Sequence, residues 1–251
     1  MRSWFAGMDL FILIDDACDP RLGSRFNAIK SFITAQAATT SVGIGYARNT
    51  AVQIAQNFTP DHAQAAQALR LPTANTGAFG SPYLSVIDRM KRWPEHPHRR
   101  VVIRVVIMVT DGIDRARSSR PRGQLNAFLP DVGRPTDVAQ RTGTLIYTIY
   151  FPGVGRAHRN FREANSGHLG IARLSDETGA ESFYLGVQTP VSFRPYLDQI
   201  EKDFDNQYLL TFGAQPDKSE GLQSVSVDTE VSGVELVSAD SVWVPASNTG
   251  E

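Results

Sequence analysis

The stretch Leu13–Ser24, LIDDACDPRLGS, sets Asp15, Asp16 and Asp19 around the chain's one cysteine, Cys18. Farther on, Asp111 closes an apolar run in Val109-Thr110-Asp111-Gly112, and Ser81 opens Gly80-Ser81-Pro82-Tyr83. Carboxylate and hydroxyl oxygens suit a hard divalent cation, and Mg2+ in particular takes a few of them and keeps water. Asp15, Asp19, Ser81 and Asp111 all fall at loop–element junctions and are the candidate metal ligands. Asp16 is expected to face solvent or to act as a cap. A calcium EF-hand is excluded: counted from Asp15, the required turn glycine is Pro20 and the bidentate glutamate is Phe26. Phosphoryl transfer to an aspartyl nucleophile wants a second acid two residues on, where Ala17 stands.

Other chemistry is thin. Cys18 sits beside acids, which raises a thiol pKa and disfavours a nucleophile. A single cysteine also excludes an intrachain disulfide and a thiolate zinc cluster. His96 and His98 have a chelating spacing but no third ligand near them in sequence. Gly153-Val154-Gly155 lacks the third glycine of a dinucleotide fingerprint, and neither a phosphate-binding P-loop nor a G-x-S-x-G elbow is present.

The elements that must position these residues read as α/β. Leu10–Ile14, Val101–Val109 and Thr144–Phe151 are continuous apolar runs, the pattern of strands covered on both faces. Ser41–Tyr46 and Val52–Ile54, joined at Arg48-Asn49, read as a hairpin that places one antiparallel strand at the sheet edge. Helical patterns intervene: one after Ser24, which has cap chemistry; residues 60–70; Ser81–Trp93; Ala164–Thr178, closing at Gly179; and the stripe Phe193, Tyr196, Leu197, Ile200, Phe204. A short strand is expected at Ser182–Leu185. Residues 115–135 and 152–168 read as long loops. Tyr208–Phe212, Leu222–Thr229 and Val231–Val244 are strand-like, with no helix between them. The expected fold is therefore a Rossmann-like three-layer α/β sandwich over residues 1–207. Its central sheet is mostly parallel, with one antiparallel edge strand, and a C-terminal antiparallel β extension follows over 208–246.

Bulk properties narrow the partners. The 251 residues are 41% hydrophobic, enough for a full core, and no run approaches the length of a membrane span. The net charge of −1 gives no general pull toward nucleic acid or a membrane surface. The distribution is uneven: residues 88–122 hold ten Lys/Arg against four Asp/Glu, and residues 198–251 hold eleven acids against two lysines. Such a basic stretch reads first as a solvated loop face. Residues 1–9 lack the apolar middle of a signal peptide.

The strand-then-acid opening, the Gly80-Ser81-Pro82-Tyr83 helix start and the Thr110-Asp111-Gly112 turn resemble a von Willebrand factor type A (VWA) domain, of the bacterial VWFA-related type, over roughly residues 9–207. The tail resembles the β extension of those bacterial proteins. The resemblance implies a metal-ion-dependent adhesion site. Its first aspartate falls on Asp15, its two serines on Ala17 and Asp19, its threonine on Ser81 and its last aspartate on Asp111. Ala17 has no side-chain oxygen, so the first motif is degenerate while the last is intact.

The resemblance implies a non-enzymatic protein-binding module. A bound Mg2+ or Mn2+, with Ca2+ as a further option, would capture a carboxylate of a protein partner. Gly80, Tyr83, Arg115 and Arg117 would frame that partner, with Arg115, Arg117, Arg120 and Arg122 steering acidic groups. It also implies export to the periplasm or beyond. Loss of the ion through Ala17 is one alternative and leaves a metal-free interaction domain. A hydrolase using the same acids is the other and requires a histidine base beside them.

Overall fold

The computed structural model describes residues 7–75, 80–95, 102–118, 131–154, 161–184, 186, 189–208, 210, 220–234 and 236–245, with backbone alone at 117 and 118. In chain order the elements are β1 (Met8–Asp15), a 3-10 turn (Pro20–Arg25), α1 (Phe26–Ala35), β2 (Thr40–Arg48), β3 (Ala51–Thr59), α2 (His62–Gln67) and α3 (Pro82–Lys91). There follow β4 (Ile103–Thr110), α4 (Arg115–Ser118), α5 (Gly133–Thr142), β5 (Thr144–Tyr150), α6 (Phe161–Glu177), β6 (Ser182–Phe183), α7 (Arg194–Asp205), β7 (Gly221–Ser224) and β8 (Ser241–Val244).

The six-stranded sheet runs β3-β2-β1-β4-β5-β6. All neighbours are parallel except β2 and β3, whose hairpin supplies the antiparallel edge. Side chains alternate across β1. Leu10, Ile12 and Ile14 pack toward Ile29, Phe32, Leu197 and Ile200 of α1 and α7. Phe11 and Leu13 pack toward Val86, Met90, Ile171 and Leu174 of α3 and α6. Each strand residue is thus buried from one side or the other, which is why the sequence runs are continuous rather than alternating.

Local chemistry sets the helix boundaries. Pro82 stands at the first turn of α3 and Asp61 caps α2 through the Gln64 N–H. Gly143 and Gly179 follow α5 and α6 with positive φ. Several expectations need correction. Ser24 does not cap α1; its hydroxyl donates to the Arg21 carbonyl at the close of the 3-10 turn, and α1 begins without a side-chain cap. Residues 161–168 are the first half of α6 rather than loop, because Ala164, Gly167 and Ile171 give it a buried face. Residues 133–135 already belong to α5.

The tail strands are shorter than their apolar runs. Gly221–Ser224 pairs antiparallel with Ser241–Val244 as a separate two-stranded sheet, and residues 225–240 take no strand among those described. Within 208–212, Tyr208 and Leu210 are not in a strand and the rest lies outside the described residues. Trp243 of β8 lies under the Arg141 guanidinium of α5, 4.0 Å from its ring centre, which ties this small sheet to the α/β body.

Candidate functional site at the carboxyl ends of β1 and β4

β1 lies between β2 and β4, so the strand order reverses there, and the carboxyl ends of these strands are where a sheet of this kind places a ligand site. Asp15 is the last residue of β1, and Asp111 directly follows β4. One Asp15 oxygen accepts the Ala17 N–H at 2.9 Å and the other accepts the Thr110 hydroxyl at 2.8 Å. The Thr110 oxygen in turn accepts the Gly112 N–H at 3.0 Å. Asp111 accepts the Ile113 N–H at 3.0 Å, and both of its oxygens meet the Arg115 guanidinium, at 2.6 and 3.2 Å. The side chains of Asp111 and Arg115 are 1% and 14% exposed. Arg115 is therefore interior to the site rather than on its rim.

This burial controls the electrostatics. Desolvation, followed by the charge of Asp111, lifts the Asp15 carboxyl from 3.8 to about 6, against the pull of Arg115 and of the Ala17 and Thr110 hydrogen bonds. Burial alone would lower the Arg115 pKa, yet Asp111 holds it above its ordinary value. Because the folded pKa of Asp15 lies above the unfolded one, its protonated form favours folding. That contribution is full below about pH 4 and is lost as pH rises through about 6. Wild type should thus lose stability relative to Asp15→Asn between pH 4 and pH 7 in urea unfolding. A carboxyl resonance of Asp15 titrating near 4 instead would contradict it.

The surrounding loops are tied to one another by backbone hydrogen bonds. Asp19 N–H donates to Pro152 O at 3.0 Å, Val154 N–H to Ala17 O at 2.9 Å, Asn75 N–H to Asp16 O at 2.9 Å and Ala116 N–H to Gly80 O at 3.1 Å. Tyr83 is 1% exposed and its hydroxyl donates to Gly112 O at 2.9 Å. It therefore supports the Thr110-Asp111-Gly112 turn from beneath, where a framing contact for a partner was expected. Gly80 is also buried. The side chains of Arg117, Arg120 and Arg122 lie outside the described residues, as do His96 and His98.

The other acids separate. Asp16, expected at the surface or as a cap, is fully buried: Arg70 grips it through both guanidinium nitrogens at 2.8 and 3.1 Å, and the Thr73 N–H adds a third bond at 3.0 Å. Asp19 caps the 3-10 turn through the Arg21 N–H and pairs with the Arg21 guanidinium at 2.8 Å. Ser81 caps α3, accepting the Leu84 N–H at 3.4 Å. Cys18 is buried, with its thiol directed at Val109 O and Phe151 O, and burial and then Asp15 push its pKa well up.

Of the histidines, His168 of α6 stacks on Tyr184 with ring centres 3.6 Å apart and makes no hydrogen bond to Asp15 or Asp111 among the described residues. His62 binds Thr40 O at the opposite end of the sheet. Neither stands as a base for the acidic pair. Sequence reasoning missed Thr110, Arg70 and the internal role of Arg115. Arg115 stands four residues past Asp111, but residues 111–114 are not helical, so that spacing did not by itself predict the pair. Arg70 carried no signal, lying 54 residues from Asp16.

A divalent ion does not fit this donor set. Asp111 already has a cation on both oxygens, Asp15 has donors on both, Ala17 offers none, and Asp19 and Ser81 act as caps. Among the described residues, no group of three or more His, Cys, Asp or Glu is arranged to hold a metal.

No family model matches the sequence, and neither does any curated protein. Solved structures do. A von Willebrand factor type A protein from Catenulispora acidiphila superposes with a TM-score of 0.52 at 11% identity, over 78% of this chain and 42% of that one. The fold is that of a VWA domain. An aerotolerance-related membrane protein from Bacteroides fragilis NCTC 9343 matches over 80% of this chain and all of its own, with TM-score 0.53 and 11% identity. The pilus adhesin SpaC from Lactobacillus rhamnosus GG matches over 78% of this chain and 30% of its own, with TM-score 0.57 and 10% identity. At such identities the likeness is one of VWA fold alone. Among the described residues no helix is long and apolar enough to cross a membrane.

Proposed function

We propose that this VWA-fold chain is a non-enzymatic protein-binding module that engages its partner at the carboxyl ends of the sheet strands. The observation that carries the reading is the cross-tied loop platform there, in which the first-strand loop, the Thr110-Asp111-Gly112 turn, the Gly80 loop and residues 152–154 are hydrogen-bonded together. A platform fixed in this way presents side chains at little entropic cost. Leu71, Phe161 and Val191, at 55%, 74% and 90% exposure, stand on loops or a helix start at this end, and the exposed Arg21 follows β1 at the same end. Exposed apolar anchors at the same end as an exposed arginine suit a protein surface that carries carboxylates. In this reading an acidic group of the partner meets the exposed Arg21 rather than an ion. Export is part of the same proposal and is supported by the membrane protein and the pilus adhesin among the fold's neighbours.

A photo-crosslinking amino acid placed at Leu71 or Val191 tests the module in its own cells. The expected result is one discrete adduct from both positions and none from Ala37, which is exposed on the α1–β2 loop at the other end of the sheet. Adducts from Ala37 with none from Leu71 and Val191 would move the interface elsewhere.

A further inference from the structure

We propose that Arg115 is the resident cation of this site, a tethered guanidinium that does the work of an ion and makes the platform independent of divalent metals. This deepens the reading above, on which its meaning for partner capture rests, but the ion pair itself is tested without any partner.

Three observations converge on Arg115. Its guanidinium meets both oxygens of Asp111, at 2.6 and 3.2 Å, in the two-point geometry that arginine and carboxylate favour. Both side chains are withdrawn from water, at 14% and 1% exposure, so the pair is not a screened surface contact. The turn that carries Arg115 is also tied to its neighbours. Arg115 Nη1 reaches Ile113 O at 3.4 Å, and the next residue's N–H holds Gly80 O at 3.1 Å. The turn bearing Asp111 and the loop leading to Ser81 are thereby held to α4.

The fourth loop is shaped to the pair. Gly153 passes so close that a Cβ there would collide with an Asp111 oxygen and lie 2.8 Å from Arg115 Nη2. Only glycine leaves space for the guanidinium–carboxylate plane. Gly153 also forms an isolated antiparallel bridge with Cys18 of the first-strand loop, so that loop is fastened to the same place. A divalent ion joins loops by drawing carboxylates from each to one centre. Here the guanidinium, from a residue four positions past its aspartate, supplies the charge of such a centre, meeting Asp111 directly and drawing on Asp15 through space, while backbone bonds join the loops around it. Ala17 and the capping roles of Asp19 and Ser81 remove what an ion would need.

The test is thermal unfolding of wild type, Arg115→Lys and Arg115→Met, each with EDTA and with millimolar Mg2+, Mn2+ or Ca2+, together with calorimetric titration of wild type with each ion. Lysine keeps the charge, whereas methionine keeps only an apolar stem. Wild-type Tm is expected to be the same with chelator and with every ion, and the titrations to show no binding. Arg115→Met should melt roughly 10 °C below wild type, since it leaves a buried carboxylate without its cation, and Arg115→Lys should recover at least half of that loss. A wild-type Tm raised by an ion and no longer raised in Asp111→Asn would overturn the proposal. So would an Arg115→Met as stable as Arg115→Lys. Because no partner enters, these results are independent of the crosslinking outcome.

Discussion

Arg70→Ala is expected to lower the unfolding temperature by roughly 6–12 °C, the consequence of about 3 kcal/mol in a domain of this size. Asp16 is fully buried and its charge is met by the two guanidinium nitrogens of Arg70, with one further bond from the Thr73 N–H. Truncating Arg70 leaves that carboxylate in the interior with a single backbone donor. It also removes the guanidinium from the face of Tyr46, whose ring centre lies 3.7 Å away. The converse change, Asp16→Asn, should cost less. The Arg70 side chain is 39% exposed and turns its charge to water when the carboxylate is gone, which Asp16 cannot do. The order of the two variants in urea unfolding checks the argument. If Arg70→Ala cost no more than an exposed pair, under about 1 kcal/mol, the account of Asp16 as an uncompensated interior charge would fail.

Gly112→Ala is the second large effect. Gly112 has φ +69°, in the left-handed region, and a Cβ there would run into the Gly167 carbonyl of α6 and lie 2.8 Å from Ile171. Backbone strain accounts for about 1 kcal/mol. The collision adds to it, because the atom struck belongs to helix backbone and cannot swing aside; a total loss of at least about 3 kcal/mol is expected. Gly143→Ala is the control. That residue has φ +60° and nothing within 4 Å of where a methyl group would stand, so only the strain, about 1 kcal/mol, applies. Equal losses for the two variants would show that the close approach of α6 to the turn is not a constraint. Gly112 matters to the site because it follows Asp111 and its carbonyl holds the Tyr83 hydroxyl; displacing it moves the carboxylate that Arg115 grips.

The two variants also show how far the site is readable from sequence. Asp15 and Asp111 are legible as a pair because each ends an apolar strand run, and a parallel sheet brings such ends together at the reversal of strand order. Asp16 is not, because an acid in a polar loop is ordinarily solvated, and its neutralising arginine comes from the segment after α2, 54 residues on. Asp19 resembles a ligand on its oxygen alone, whereas its backbone position makes it a cap. Tyr83 resembles a contact residue from its place beside Ser81. In the helix it points inward, where burial leaves its hydroxyl only internal acceptors.

What the sequence by itself determined is the scaffold. Continuous apolar runs forced a sheet covered on both faces, helical periodicity supplied the two layers, and the Arg48–Asn49 turn required the antiparallel edge. These are local or short-range patterns, and hydrophobic burial rewards them whatever the rest of the chain does. The lengths of the tail strands and the partner of each charge were decided only by the tertiary structure. An apolar tail residue becomes a strand only where another strand offers hydrogen bonds. A buried charge is stable only with the counter-ion that folding brings to it, and that depends on which distant residue arrives. Arg115 shows the division: its spacing from Asp111 was written in the chain, but its pairing with that carboxylate and its closure into the interior against Gly153 came with the fold.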